Sequence, residues 1–150
     1  MANKPFLVLM AEDNEHDILV TKRAWKKFHV VNPLNIVRDG EECLDYLYMR
    51  EKYKDPASAP RPGILLLDIK MPRLDGFGVL KDLRASKEFQ RLPVVILTSS
   101  KAEEDLFKSY DLGANAYIVK PVGFENFADA VKQFNLFWQL VELPGGYQEG

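Results

Sequence analysis

The sequence predicts an α/β fold: a five-stranded parallel sheet with helices on both faces. Three observations carry that expectation. Short apolar runs and helical patterns alternate five times along the 150 residues, as chains of strand–helix–strand units with right-handed crossovers do. Three of the runs are continuous rather than alternating, which fits strands covered on both faces. Helix-start residues follow the runs at the spacing that capping requires.

The first strand is Phe6-Leu-Val-Leu-Met10. Asn14 can cap a helix over 15–28, where Val20, Ala24 and Phe28 fall at i, i+4 and i+8 on an inward face. Leu34-Asn-Ile-Val37 is short and mixed, as an edge strand can be. Asp39-Gly-Glu-Glu42 is a capping box opening a helix over 40–52. Cys43 reads there as a small buried hydrophobe. The segment from Glu51 to Gly63 carries three prolines and reads as a loop. Ile64-Leu-Leu-Leu67 is the third strand, followed by a helix over 75–86 capped by Asp75. Val94-Val-Ile-Leu97 is the fourth. Ser100-Lys-Ala-Glu103 repeats the capping box and opens a helix over 101–111. Tyr117-Ile-Val119 suits the second edge, and a last helix spans 123–142.

Composition bounds the function. Twenty basic and 22 acidic residues leave a net charge of -2, without the basic excess of a nucleic-acid domain. The hydrophobic fraction of 47 % is ordinary for a globular protein. One cysteine excludes an internal disulfide and a multi-cysteine metal site. No apolar run approaches the ~20 residues of a membrane span, and Met1-Ala-Asn-Lys-Pro5 lacks a secretory apolar core. The expectation is one cytoplasmic domain with no membrane and no nucleic-acid partner. His16 and His29 have no spaced partner ligand. Gly76 and Gly78 form no phosphate loop, because no strand directly precedes them.

In open parallel sheets, ligands bind beyond the carboxyl ends of the strands. Glu12 and Asp13 follow the first strand, Asp68 the third, Thr98 the fourth and Lys120 the fifth. Three clustered carboxylates repel one another unless compensated. A hard cation compensates them, and Mg²⁺ takes carboxylate and phosphate oxygens. The cluster therefore reads as a Mg²⁺-dependent phosphoryl site. Asp68 is the candidate nucleophile of an acyl phosphate, and Thr98 and Lys120 are phosphoryl ligands.

With these positions in view, the chain resembles the receiver domain of bacterial response regulators, the CheY-like family. The resemblance rests on Glu12-Asp13, Leu67-Asp68, Met71-Pro-Arg-Leu-Asp-Gly76, Leu97-Thr98-Ser99, Gly113-Ala114, Tyr117 and Lys120-Pro121. It covers about residues 5–141. It implies the flavodoxin-like strand order 2-1-3-4-5, an Asp68 that accepts a phosphoryl group from a histidine kinase, and Mg²⁺ held by Asp13, Glu12, Asp68 and the backbone carbonyl of Lys70. It further implies a Thr98 that shifts toward the phosphoryl group, a Tyr117 that changes rotamer behind it, a Lys120 paired with phosphoryl oxygens, and a cis Lys120–Pro121 bond.

Within the family the chain looks most like the stand-alone regulators of bacterial phytochrome histidine kinases. The long loop after the second helix, Ala102-Glu-Glu-Asp105, Ser109-Tyr110 and the ending from Phe137 to Pro144 carry that finer likeness. The resemblance leaves no chain for a separate effector, so output is expected as a change of the protein's own surface, read by a downstream protein or by another copy of itself. Lys70 and Ser100 flank the site at positions that vary among receivers and border the hydrolytic water's path.

In the last helix Phe127, Val131, Phe134, Trp138 and Val141 form a sheet-facing stripe. Yet 12 of the 20 residues from Phe124 to Leu143 are apolar, more than one stripe needs. The surplus is either local core from a folded-back tail or an exposed patch of the kind that marks interfaces; the favoured expectation is a homodimer through the last strand and helix, with 142–150 as an apolar extension. Three rivals fit less well. A haloacid-dehalogenase-like phosphatase wants a second Asp two residues after the nucleophile, where this chain has Lys70. A flavodoxin-like cofactor carrier wants neutral donors where this chain has Glu12-Asp13. A pseudo-receiver, which binds partners without phosphorylation, sits poorly with an intact Asp13, Asp68, Thr98 and Lys120.

Overall fold

A computed structural model describes residues 6–120. The last helix with its apolar stripe, the 142–150 extension and the Lys120–Pro121 bond lie outside the described residues. Within them run β1 (Val8–Ala11), α1 (Glu15–Lys27), β2 (Leu34–Val37), α2 (Gly40–Leu47), β3 (Ile64–Leu67), α3 (Gly76–Ala85), β4 (Val94–Thr98), α4 (Glu103–Asp111) and β5 (Ala116–Val119). All pairings are parallel, in the order β2-β1-β3-β4-β5. The two short, mixed runs are the two edges, as expected.

The continuous apolar runs are explained by burial on both faces. Alternate side chains of a strand point to opposite faces. Leu9, Leu65, Leu67 and Ile96 pack with Cys43, Leu44, Leu47, Val79, Leu80 and Leu83 of α2 and α3. Val8, Met10, Ile64, Leu66, Val95 and Leu97 pack with Val20, Ala24 and Trp25 of α1. Each fully buried aliphatic side chain contributes about 1.5–3 kcal/mol. Among the described residues no helix is long and apolar enough to cross a membrane.

The caps at Asn14, Asp39 and Asp75 form as predicted, accepting from the backbone N–H of Asp17, Glu42 and Gly78. Glu42 returns its carboxylate to the Arg38 N–H at 2.7 Å. The box at Ser100 does not form. Its hydroxyl donates to Asp105 at 2.6 Å, and α4 begins at Glu103 behind an Ala102 N-cap that has no side-chain acceptor. The second helix is also shorter than predicted. It ends at Leu47, and the expected loop holds two 3₁₀ turns, Glu51–Tyr53 and Pro56–Ser58.

Three helices close with the same Schellman geometry. Val30, Arg50 and Ala114 donate their N–H groups to the carbonyls of Trp25, Asp45 and Ser109. The left-handed residue is His29 (φ 51°) after α1, Met49 (φ 54°) after α2 and Gly113 (φ 103°) after α4. Only Gly113 announces its stop in the sequence. Met49 forces α2 to end with no glycine to mark it, which is why the helical pattern overran. A side chain in this region costs about 1–2 kcal/mol. His29→Gly is therefore expected to raise stability by about 0.5–1 kcal/mol. Gly113→Ala, whose Cβ would also stand 2.9 Å from Arg84 Nε, is expected to lower it by about 1–2 kcal/mol. Urea midpoints of the two variants against wild type check both signs.

Candidate functional site

The carboxyl ends of β1, β3, β4 and β5 share one rim of the sheet, and the backbone ladder runs past each strand to fix the first residue beyond it. Glu12 N–H donates to the Val37 carbonyl, Asp68 N–H to Ala11 and Lys120 N–H to Thr98, at 2.7–3.1 Å. Ala11 lies in register with Leu67, and Thr98 with Val119. Four strands thus deliver Glu12, Asp68, Thr98 and Lys120 to one place.

Gly76 opens α3 directly beneath this rim. Its N–H donates to the Ile69 carbonyl at 2.7 Å. A Cβ there would stand 2.3 Å from the Asp68 carbonyl oxygen, so only glycine permits the approach. Arg73, at φ 70°, ties the intervening loop to α2 through an ion pair with Glu41.

Glu12, Asp68 and Thr98 are buried, whereas Asp13 and Lys70 are exposed. One carboxylate oxygen each from Glu12, Asp13 and Asp68 lies within 4.8 Å of the other two. That is an all-oxygen, acidic donor set, the kind a hard divalent cation takes. Asp13, Lys70, Met71, Phe77 and Asp105 line an open depression of about 610 Å³ beside it. The sequence-predicted metal residues are therefore brought together.

The Lys120 ammonium sits among the carboxylates. It donates to Glu12, to Asp68 at 3.3 Å and to Asp17 at 2.8 Å. Asp17 was no candidate in the sequence; a first-turn acid reads as ordinary helix-dipole compensation. Burial pushes the Glu12 carboxyl up to about 7, against the opposing hydrogen bond from Lys120, and the charge of Asp68 pushes the same way. Burial alone would lower the Lys120 ammonium. The hydrogen bonds to Asp17 and Glu12 outweigh it and hold the group above the usual lysine range.

Thr98 and Tyr117 meet at Ser100. The Thr98 hydroxyl oxygen accepts from the Ser100 N–H at a long 3.4 Å. The Tyr117 hydroxyl donates to the Ser100 carbonyl at 3.0 Å. Burial raises the Tyr117 phenol, with the Ser100 hydrogen bond opposing. Elsewhere, Cys43 is fully buried and burial pushes its thiol up. His16 is exposed, and His29 only closes α1.

Residues 8–132 match the family described as the response regulator receiver domain. The probable methanogenesis regulatory protein FilR2 of Methanothrix harundinacea is 32% identical over 91% of this chain and 86% of its own length. Response regulator Rcp1 of Synechocystis is 32% identical over 95% of this chain and 96% of its own. The crystal structure of its Mn²⁺-bound form aligns with TM-score 0.84, covering 94% of this chain and all of that one. The phosphorylated cyanobacterial phytochrome response regulator RcpA is 35% identical, with TM-score 0.85 over 94% of this chain and 99% of its own. Strand order, strand-end residues and the extent of the match agree, and the chain belongs to the response regulator receiver domain family, with the CheY-like fold.

Proposed function

We propose that the chain is a single receiver domain, core about 5–141, that accepts a phosphoryl group on Asp68 from a histidine kinase. The observation that carries this reading is the convergence of the Lys120 ammonium on Asp68 and Glu12 at the rim, with Asp13 within 4.8 Å. Phosphorylation adds about -1.5 to -2 charges and three acceptor oxygens. Lys120 supplies N–H donors for them and Thr98 a hydroxyl.

Glu12, Asp13 and Asp68, with the Lys70 carbonyl, are the residues that would hold Mg²⁺. The ion supplies neutralising charge for the incoming phosphoryl group. In the transfer, an Asp68 carboxylate oxygen forms the bond to phosphorus. The donor imidazole nitrogen leaves with the electron pair of the broken N–P bond. The receiver's own residues promote this transfer, and hydrolysis of the acyl phosphate resets the protein. Thr98 and Tyr117, both bonded to Ser100, form the element through which the change reaches the α4 surface.

The kinase is proposed to be of the phytochrome type. RcpA and AtBRR carry the titles phytochrome and bacteriophytochrome response regulator, at 35% and 39% identity. The chain is proposed to work in the cytoplasm and to pair with a second copy through β5 and the last helix. β5 is an edge strand of the sheet and is only half buried.

Asp68→Asn is expected to abolish phosphorylation by a small acyl phosphate. Intact-mass analysis checks this, and a phosphoryl increment retained in the variant would end the assignment. Because the Glu12 carboxyl is raised to about 7, its proton competes with a cation. Mg²⁺ affinity is expected to rise about tenfold from about pH 6 to about pH 8. Calorimetric titration reads the slope, which Glu12→Gln should flatten. Sedimentation with and without phosphoryl analogue tests the pairing; a monomer at micromolar concentration in both conditions contradicts it.

A further inference from the structure

A lysine ammonium has three N–H donors. In this structure all three are committed to carboxylates, those of Glu12, Asp17 and Asp68. A phosphoryl oxygen can engage Lys120 only if one of them gives way.

The three are not equally free to do so. The Glu12 side chain is fully buried, so water cannot take the ammonium's place there. Asp68 carries the phosphoryl group itself, so the N–H it now holds at 3.3 Å can pass to a phosphoryl oxygen of the same residue, and any second contact must come from Glu12 or Asp17. The Asp17 side chain is 27% exposed, so water can replace the ammonium. It lies in the first turn of α1, where the helix dipole favours a negative charge in either case. Its main chain is separately engaged: the N–H donates to the Asn14 side chain and the carbonyl accepts from the Thr21 hydroxyl. The carboxylate is therefore not needed as a cap, and among the described residues its hydrogen bond is the one to Lys120.

We propose that Asp17 is a positioning residue that holds the third N–H of Lys120 in the unphosphorylated protein and competes with the phosphoryl group for it. This rests on the reading of Asp68 as the phosphoacceptor. Asp17 thereby weakens binding at the phosphoryl position and biases the protein toward its unphosphorylated state. Removing its charge frees the ammonium; lengthening it to Glu keeps the competition.

The test is calorimetric titration of the full chain with beryllofluoride, a phosphoryl analogue, at saturating Mg²⁺, with Asp68→Asn as control. Asp17→Asn is expected to bind about threefold to tenfold tighter than wild type, and Asp17→Glu to return toward the wild-type value. The gain must persist at high salt, because a displaced hydrogen-bond partner is not screened away as a distant charge is. Asp17→Ser, a second neutral residue suited to a first turn, must move the same way. This guards against an Asn variant that folds poorly.

If wild type binds in an Asp68-dependent manner and the neutral variants bind equally or more weakly, the role of Asp17 is overturned and the phosphoacceptor stands. A gain that vanishes at high salt also overturns it. If wild type and Asp68→Asn behave alike, both readings fall.

Discussion

The site depends on one ammonium group. Lys120 arrives from the far edge of the sheet, 108 residues along the chain from Glu12. It meets carboxylates carried by β1, β3 and α1. Without it, Glu12 would be a buried carboxylate without a cationic partner, next to Asp68, a second buried acid. The sheet order is what makes the compensation possible. β1 and β3 are neighbours at the centre, so Glu12 and Asp68 are adjacent. β4 and β5 then carry Thr98 and Lys120 to the same rim. The layered packing of leucines, valines and isoleucines against α1, α2 and α3 holds that rim rigid and has little to do with the chemistry itself.

The balance among these groups is also unfinished. One lysine facing Glu12, Asp13, Asp17 and Asp68 leaves the rim with an excess of negative charge. Burial already drives the Glu12 carboxyl to hold its proton near neutral pH. The rim's all-oxygen, acidic donor set is the kind that a hard divalent cation takes. The proposed function draws on that same imbalance, which would be a fault in a structural core.

Much of the architecture was legible in the sequence because it follows from local rules. Continuous apolar runs named the buried strands, and Asn14, Asp39 and Asp75 named three helix starts. The strand-end acids, Thr98 and Lys120 were legible because a parallel sheet gathers its carboxyl ends. What stayed hidden depends on partners distant in the sequence or on unusual backbone. Ser100 has the spacing of a cap, but its hydroxyl goes to Asp105. Met49 takes a left-handed conformation usually given to glycine, so α2 stops early without a signal. Asp17 looks like any first-turn acid until β5 brings Lys120 against it.

The two bonds that meet at Ser100 use only its main chain: the N–H reaches Thr98, and the carbonyl receives Tyr117. Neither bond depends on which side chain the residue carries. Position 100 is therefore free to diverge in chemistry while the mechanical link between strand end and aromatic ring is kept. The link and the side chain at position 100, which donates to Asp105, can therefore vary independently.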